Sequence, residues 1–202
     1  MEEEKTVMGL IKIGDAKYQK PLYEKGEIYM NTQQYFRDLE DQNGRGDKYE
    51  GTDKIEQVKW FKLSDGKTDI ELSLKAGNLK RANVFSRYED FNCNIYSMIG
   101  ISESDINKEN PVPKSNEKLG SFFILIYDVK EFNRRIKKKL DSLNYEHTWG
   151  WVKYYDEYSY EGELNLLDKP KSFQDQKEVR YIVHSGKNEP LKIEIGSLAD
   201  IA

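Results

Sequence analysis

Cysteine and histidine are nearly absent from this 202-residue chain: Cys93 stands alone, and His147 and His184 are its two imidazoles. A single thiol excludes an intramolecular disulfide and a cysteine-built zinc site, and two histidines are too few for a histidine-rich metal cluster. Long apolar runs are missing too; none approaches the roughly eighteen residues that mark a membrane-spanning helix. The opening Met1 to Glu4 is acidic where a secretory leader would be basic. These absences point to a soluble, cytoplasmic protein with no membrane partner and no bound metal. An excess of one charge is lacking as well, since 32 basic residues face 36 acidic ones for a net charge of −4. Composition therefore carries no mandate for nucleic-acid binding, while leaving room for a local basic patch.

What is present suits one compact domain over residues 1–202. A chain of this length buries roughly 70% of its unfolded surface, so it needs no metal or disulfide to fold. Hydrophobic residues make up 37% and charged residues 34%, with 14 Tyr, 8 Phe and 3 Trp to furnish a core.

The patterning predicts an α+β fold richer in strand than in helix: a mostly antiparallel, twisted central sheet flanked by a few helices. Val7 to Ile13 alternates as an opening strand. Asp15 caps a helix through Lys25, with Pro21 near its start or breaking it, and Gly26 stops it. Glu27 to Met30 is a short strand; Asn31 or Thr32 then caps a helix carrying Tyr35, Phe36 and Leu39. Gln42 to Gly51 is a glycine-rich loop whose one core candidate is Tyr49. Lys54 to Leu63 and Thr68 to Leu74 form a hairpin around Ser64 to Lys67. Asn94 to Ile101 is a strand, and Ser121 to Tyr127 reads as a central strand buried on both faces. Asp128 caps a helix to Leu143 with Phe132, Ile136 and Leu140 on one stripe. Trp149 to Tyr155 is a further strand. Glu178 to His184 and Leu191 to Ile195 close the sheet as a hairpin. Mobile connections are expected near 42–53, 102–118 and 156–170.

The sharpest feature is Phe173 to Val183, read as a strand with Gln174, Gln176, Glu178 and Arg180 on one face and Val179, Tyr181 and Val183 on the other. A row of amide, carboxylate and guanidinium groups on a core strand is costly unless solvated or paired. It is either a solvent face or the floor of a polar pocket. In a Q-x-E arrangement, Glu178 can hydrogen-bond a ribose hydroxyl and stabilise positive charge as a leaving group departs, while Gln176 orients the acceptor. The glycine loop lacks P-loop spacing; it either places Arg45, Asp47 and Glu50 over a pocket or forms a plain surface turn. Arg134, Arg135, Lys137, Lys138 and Lys139 form a basic helical face. That face either grips a phosphate backbone, with Tyr and Trp stacking nearby, or is simply solvated. Trp149, Trp151, Tyr154 and Tyr155 fit sheet packing. His147 has no identifiable nucleophile beside it, and His184 shares the face of Glu178.

The order of these pieces resembles a bacterial family of unknown function associated in part with abortive-infection and phage-defence loci. That family pairs an F-N-D-P-x-E element with a C-terminal K-x-x-x-[FW]-x-x-E-x-E-[FY]-R strand. Ile28 to Phe36 followed by Arg45 to Gly51 is similar to the first, with Gly46, Asp47 and Lys48 in place of N-D-P. Lys171 to Arg180 is similar to the second, with Gln176 in place of the first glutamate. More distantly, the Gln176 to Val179 segment resembles the Q-x-E-V strand of ADP-ribosyltransferases, and Leu22 to Tyr29 fits that fold's opening. The resemblance implies an ADP-ribosyltransferase-like fold that uses NAD, with Glu178 and Gln176 catalytic and Arg180 holding Glu178 ionised. Lys12 or Lys17 would stand where such enzymes place an Arg or His, with Tyr29 and Asn31 at the same nucleotide site. The target would be a protein or an RNA in conflict between bacteria and mobile elements. The alternative is an inhibitor, non-catalytic or RNA-processing, that binds RNA or a ribonucleoprotein through the Arg134 to Lys139 helix, as a counter-defence factor would.

Overall fold

The computed structural model describes residues 5–39, 46–47, 49–73, 82–87 and 92–202. The chain runs β1 (Val7–Gly14), α1 (Ala16–Lys25), β2 (Glu27–Thr32), α2 (Gln33–Asp38), β3 (Thr52–Gln57), β4 (Trp60–Ser64), β5 (Asp69–Ser73), β6 (Asn83–Arg87) and β7 (Asn94–Ser102). It continues with β8 (Phe122–Ile126), α3 (Val129–Ser142), β9 (Glu146–Trp151), β10 (Lys153–Tyr155), β11 (Gly162–Glu163), β12 (Asp168–Pro170), β13 (Glu178–His184) and β14 (Leu191–Glu194). The fold is α+β with a curled, antiparallel main sheet and few helices.

β7 is the hub of that sheet. Along one side it pairs with β13, which pairs outward with β9. Its other side is divided: the Ile99 to Ser102 end takes β1 and then β8, while Asn94 and Ile95 take β2 and then β14. The connection after β13 therefore does not make a hairpin with β14. β14 lies beyond β2, on the far side of β7, because Ile193 belongs to the same core as Ile28 and Met30.

One face of the sheet carries the main core. Leu10, Met30, Tyr96, Met98, Val179 and Tyr181 meet Leu22 of α1, Phe132, Ile136 and Leu140 of α3, and Leu198 and Ile201 of the C-terminal tail. The i, i+4, i+8 spacing of the α3 residues puts all three on one stripe, and Asp128 caps that helix by accepting from Glu131 N at 3.0 Å. Full burial of a side chain such as Phe132 contributes about 1.5–3 kcal/mol. Thr32 caps α2 by accepting from Tyr35 N at 3.1 Å. α1 starts after Asp15 and ends at Gly26, whose φ of 63° closes the helix through bonds to Leu22 O and Pro21 O. Pro21 sits inside α1, neither near its start nor breaking it; the ring removes one backbone donor and the helix continues around it.

Several strands differ from their sequence patterns. Ser121 to Tyr127 is not a buried central strand: β8 is the outermost strand beyond β1, with Ile124 and Ile126 in the core and Phe123 and Leu125 exposed. Continuous apolarity did not separate a strand covered on both faces from one left open. Lys54 to Leu63 divides into β3, which pairs with β6, and β4, which forms the expected hairpin with β5; Leu74 lies outside the described residues. Trp149 to Tyr155 likewise divides at Val152, whose N–H donates to Glu178 O at 2.9 Å. Phe173 to Val183 is not one strand. Lys171–Gln176 is a 3-10 turn, Lys177 is left-handed with φ 46°, and β13 begins at Glu178.

Gly100 of β7 faces the Trp151 ring and Val179 so closely that an added Cβ would lie 2.3 and 2.6 Å from their carbons. Gly100→Ala is expected to lower stability by about 1–3 kcal/mol through overpacking, measured as a fall in the urea midpoint at unchanged slope.

Candidate functional site

The second face of β13 and β7 is built differently from the core face. Ile182 and Ile95 start it as a small apolar cluster with Cys93 and Leu166. Further along, Arg180 stands opposite Ser97 and Glu178 opposite Ile99. Here the sheet carries charge instead of aliphatic carbon. Three other segments close over it: the turn at Asp47 to Glu50, the Leu164 to Pro170 arm that includes β12, and the 3-10 turn ending at Gln176.

Lys169 binds the third, and Arg180 binds the first two. Its Nε donates to Glu178 Oε1 at 2.8 Å, and its terminal nitrogens donate to Glu50 Oε1 and Oε2 at 2.8 and 3.1 Å, a fork-to-fork pair. It also donates to Leu166 O at 2.7 Å. Glu178 accepts further from Ser97 Oγ and from Lys169 Nζ, the latter at 3.0 Å. Lys169 Nζ donates at 2.9 Å to Gln176 Oε1 and lies 4.6 Å from the centre of the Phe173 ring. The Glu178 N–H donates to the Tyr154 hydroxyl at 3.0 Å. Asp47, Glu50, Lys169, Glu178 and Arg180 are each at most 5% exposed.

Three carboxyl groups thus face two cations. Burial works against ionisation of every carboxyl, but they resolve differently. For Glu178 burial is outweighed by Arg180, Lys169 and Ser97, which hold it well below the usual glutamate range. For Glu50 and Asp47 burial prevails over Arg180 and Lys169, and both are raised. Burial thus shifts Asp47 and Glu50 toward their neutral forms, while the cations and Ser97 favour the ionised form of Glu178. Arg180, although buried, is held protonated by Glu178 and Glu50.

The chain enters this site through a second ionic anchor. Asp105 accepts from Ser102 N and Oγ, from Lys108 Nζ, and from Lys177 Nζ at 2.6 Å. Lys177 also donates to Pro111 O, and its own carbonyl accepts from Gly100 N at 2.8 Å. The left-handed Lys177 is the hinge of direction between Gln176 and Glu178, so these bonds fix where β13 begins.

The sequence-derived candidates separate. Glu178, Gln176 and Arg180 come together, joined by Asp47 and Glu50; Arg45 and Lys48 lie outside the described residues. Lys12 does not join them: it is on the core face, its Nζ 4.1 Å over the Tyr96 ring and donating to Ser97 O at 2.6 Å. Lys17 is exposed on α1 with its Nζ 4.8 Å from the Tyr18 ring. Tyr29 is exposed beside Lys192. Asn31 pairs with Ile95, four residues along β7 from the partner of Glu178, about 13 Å at the strand rise. On α3, Arg134 and Arg135 bind Glu131, Arg135 also binds Asp200 and Ser197 O, and Lys137 pairs with Asp141; Lys138 and Lys139 complete the face. Trp149 stacks on Tyr181 at 5.6 Å, which is sheet packing. His147 Nδ1 meets Tyr145 O at 3.1 Å.

Lys169 and Ser97 were not anticipated. Lys171, two residues later, fitted the motif spacing, but it is exposed while Lys169 is buried on Glu178. The available signal was a lysine shortly after the Leu164, Leu166 and Leu167 positions, and for Ser97 a small hydroxyl between Ile95 and Ile99 at the period of a strand. Comparison with family models, with curated proteins and with solved structures finds no match to this chain. Among the described residues no helix is long and apolar enough to cross a membrane, and no group of three or more His, Cys, Asp or Glu is placed to hold a metal ion.

Arg180→Leu leaves Glu178 and Glu50 without their shared cation and is expected to cost about 3–5 kcal/mol in urea unfolding. The lowered pKa of Glu178 makes its contribution complete above the ordinary value of 4.5 and lost as the pH falls below it. The stability gap between wild type and Glu178→Gln should therefore hold from neutrality to about 4.5 and narrow as the pH falls below it; a gap that stays constant below 4.5 would contradict this assignment.

Proposed function

We infer that the chain is an ADP-ribosyltransferase-like transferase whose centre is the Glu178, Arg180 and Lys169 cluster. One observation carries this reading: a buried carboxylate, Glu178, is held by Arg180, Lys169 and Ser97, which favour its ionised form, beside the buried carboxyls of Asp47 and Glu50. A permanently charged Glu178 is unsuited to shuttling protons and suited to stabilising positive charge at a ribose carbon as nicotinamide departs. Asp47, buried with a raised pKa, can take a proton from an acceptor. Gln176 shares the Lys169 ammonium with Glu178 and so is held where it can orient that acceptor.

NAD is the donor in this reading, as a substrate. Lys169 is the cation next to Glu178 that would meet its phosphates or ribose, in place of Lys12 and Lys17, and the Phe173 ring beside it offers a stacking surface. Both Glu178 oxygens already hold donors, so substrate entry exchanges the Lys169 or Ser97 bond for a ribose hydroxyl. The motif resemblance alone supports the wider setting, in which the target is a protein or an RNA and the context is conflict between bacteria and mobile elements. The rival use of α3 as a nucleic-acid grip is weakened by the intrachain pairs of Arg134, Arg135 and Lys137.

Calorimetry with NAD, paired with an assay of nicotinamide release, tests this reading. The wild type should bind saturably and release nicotinamide. Glu178→Gln, checked for folding by circular dichroism, should still bind and lose about 10²–10³ in rate. Absence of binding and release in the wild type, or unchanged turnover in the variant, would sink the assignment.

A further inference from the structure

The main sheet ends in three outer strands, and they are not alike. β14 carries Lys192 and Glu194, and β9 carries Glu146 and His147. Charges of this kind discourage edge-to-edge pairing. β8 carries none, nor do the flanking Ser121 and Tyr127. The C-terminal tail bonds to Tyr127 N and Asp128 N through Ile201 O, just beyond the strand, and no strand among the described residues pairs with the outer edge of β8.

Its side chains are also uncovered. Phe122 is 54% exposed, Phe123 69%, Leu125 44% and Tyr127 60%, while Ile124 and Ile126 between them anchor the strand in the core. Alternation puts Phe123, Leu125 and Tyr127 on one face and Phe122 on the other with Ile124 and Ile126. The Phe123 and Tyr127 rings leave roughly 200–300 Å² in water at the areas typical of aromatic side chains, which with Leu125 approaches the biggest patch on a typical monomer. The strand backbone adds to it.

We propose that β8 is a homodimerisation edge, which pairs antiparallel with β8 of a second copy about a two-fold axis. Electrostatics favours a second copy in this position. The whole chain carries net charge −4, so two copies repel in general, yet the strip from Ser121 to Tyr127 opposes no like charges. Antiparallel pairing sets the Glu117 and Lys118 end of one copy against the Asp128 and Lys130 end of the other, so each flank carries both signs and no single-sign repulsion. An identical strand offers the same unpaired N–H and C=O groups, so a closed two-fold contact satisfies both edges at once.

Sedimentation equilibrium over a concentration series tests the proposal, with wild type beside Phe123→Glu and Leu125→Lys. Both positions are exposed, so the variants should keep the wild-type circular dichroism, and Trp60→Glu, exposed elsewhere on β4, serves as the control. The wild type and the control should form a dimer, and the two β8 variants should weaken it by about tenfold or more. Amide exchange over Phe122 to Ile126 should slow as the wild-type concentration rises. A wild type that stays monomeric throughout, a dimer equally strong in Leu125→Lys, or an open-ended assembly would overturn the proposal.

Discussion

The Arg180 guanidinium is the contact on which the rest of the molecule's second layer depends. It joins β13 to the turn at Glu50 and to the arm at Leu166, segments that the adjoining β3–β11 pair already brings side by side. A buried ion network is poor evidence for stability in itself, because desolvation offsets much of the attraction. Its value here is geometric. Apolar surfaces tolerate sliding, whereas a guanidinium that must meet two carboxylates and a carbonyl is satisfied in one arrangement. The small apolar cluster around Ile182 has no directional contacts of its own to fix the covering segments against β13; Arg180 supplies them.

The two faces of the sheet therefore divide the work. The core face is held by the volume of Phe132, Tyr181, Met98 and their neighbours, and its helices are interchangeable with any amphipathic cover of the right shape. The opposite face is held by charge, with Ser97, Lys169 and Gln176 arrayed around one carboxylate. Asp105 holds Lys177 at the start of β13, so the position at which the polar face begins is set by the loop that leaves β7 at that same end.

Much of the first face was legible in the sequence. The i, i+4, i+8 stripe of α3, the Asp128, Thr32 and Gly26 termini and the alternation of Val179, Tyr181 and Val183 each depend on contacts close in the chain, and local pattern reports these well. The second face was legible only in part. Glu178, Gln176 and Arg180 declared themselves as polar residues on an apolar strand, but the alternation that suggested them was extended too far, across a 3-10 turn and a left-handed Lys177. Their partners could not be ranked from sequence, because Glu50, Lys169 and Ser97 lie on elements whose meeting is decided by tertiary packing. The exposed face of β8 was hidden for a related reason: hydrophobicity records that a residue avoids water, without recording whether the cover belongs to its own chain.

The hub position of β7 sets a timetable for the molecule. β1 is made before either of its sheet partners, β7 and β8, and the Glu50 carboxylate waits 130 residues for Arg180. Non-local pairing of this kind slows folding and prolongs the time that strand edges and apolar runs stay uncovered. β8 is made before β13, so its bare aromatic edge is on display while the hub still lacks one of its sides. The growing chain must rely on chaperones or on speed to pass this interval, until β13 emerges and occupies the second side of β7.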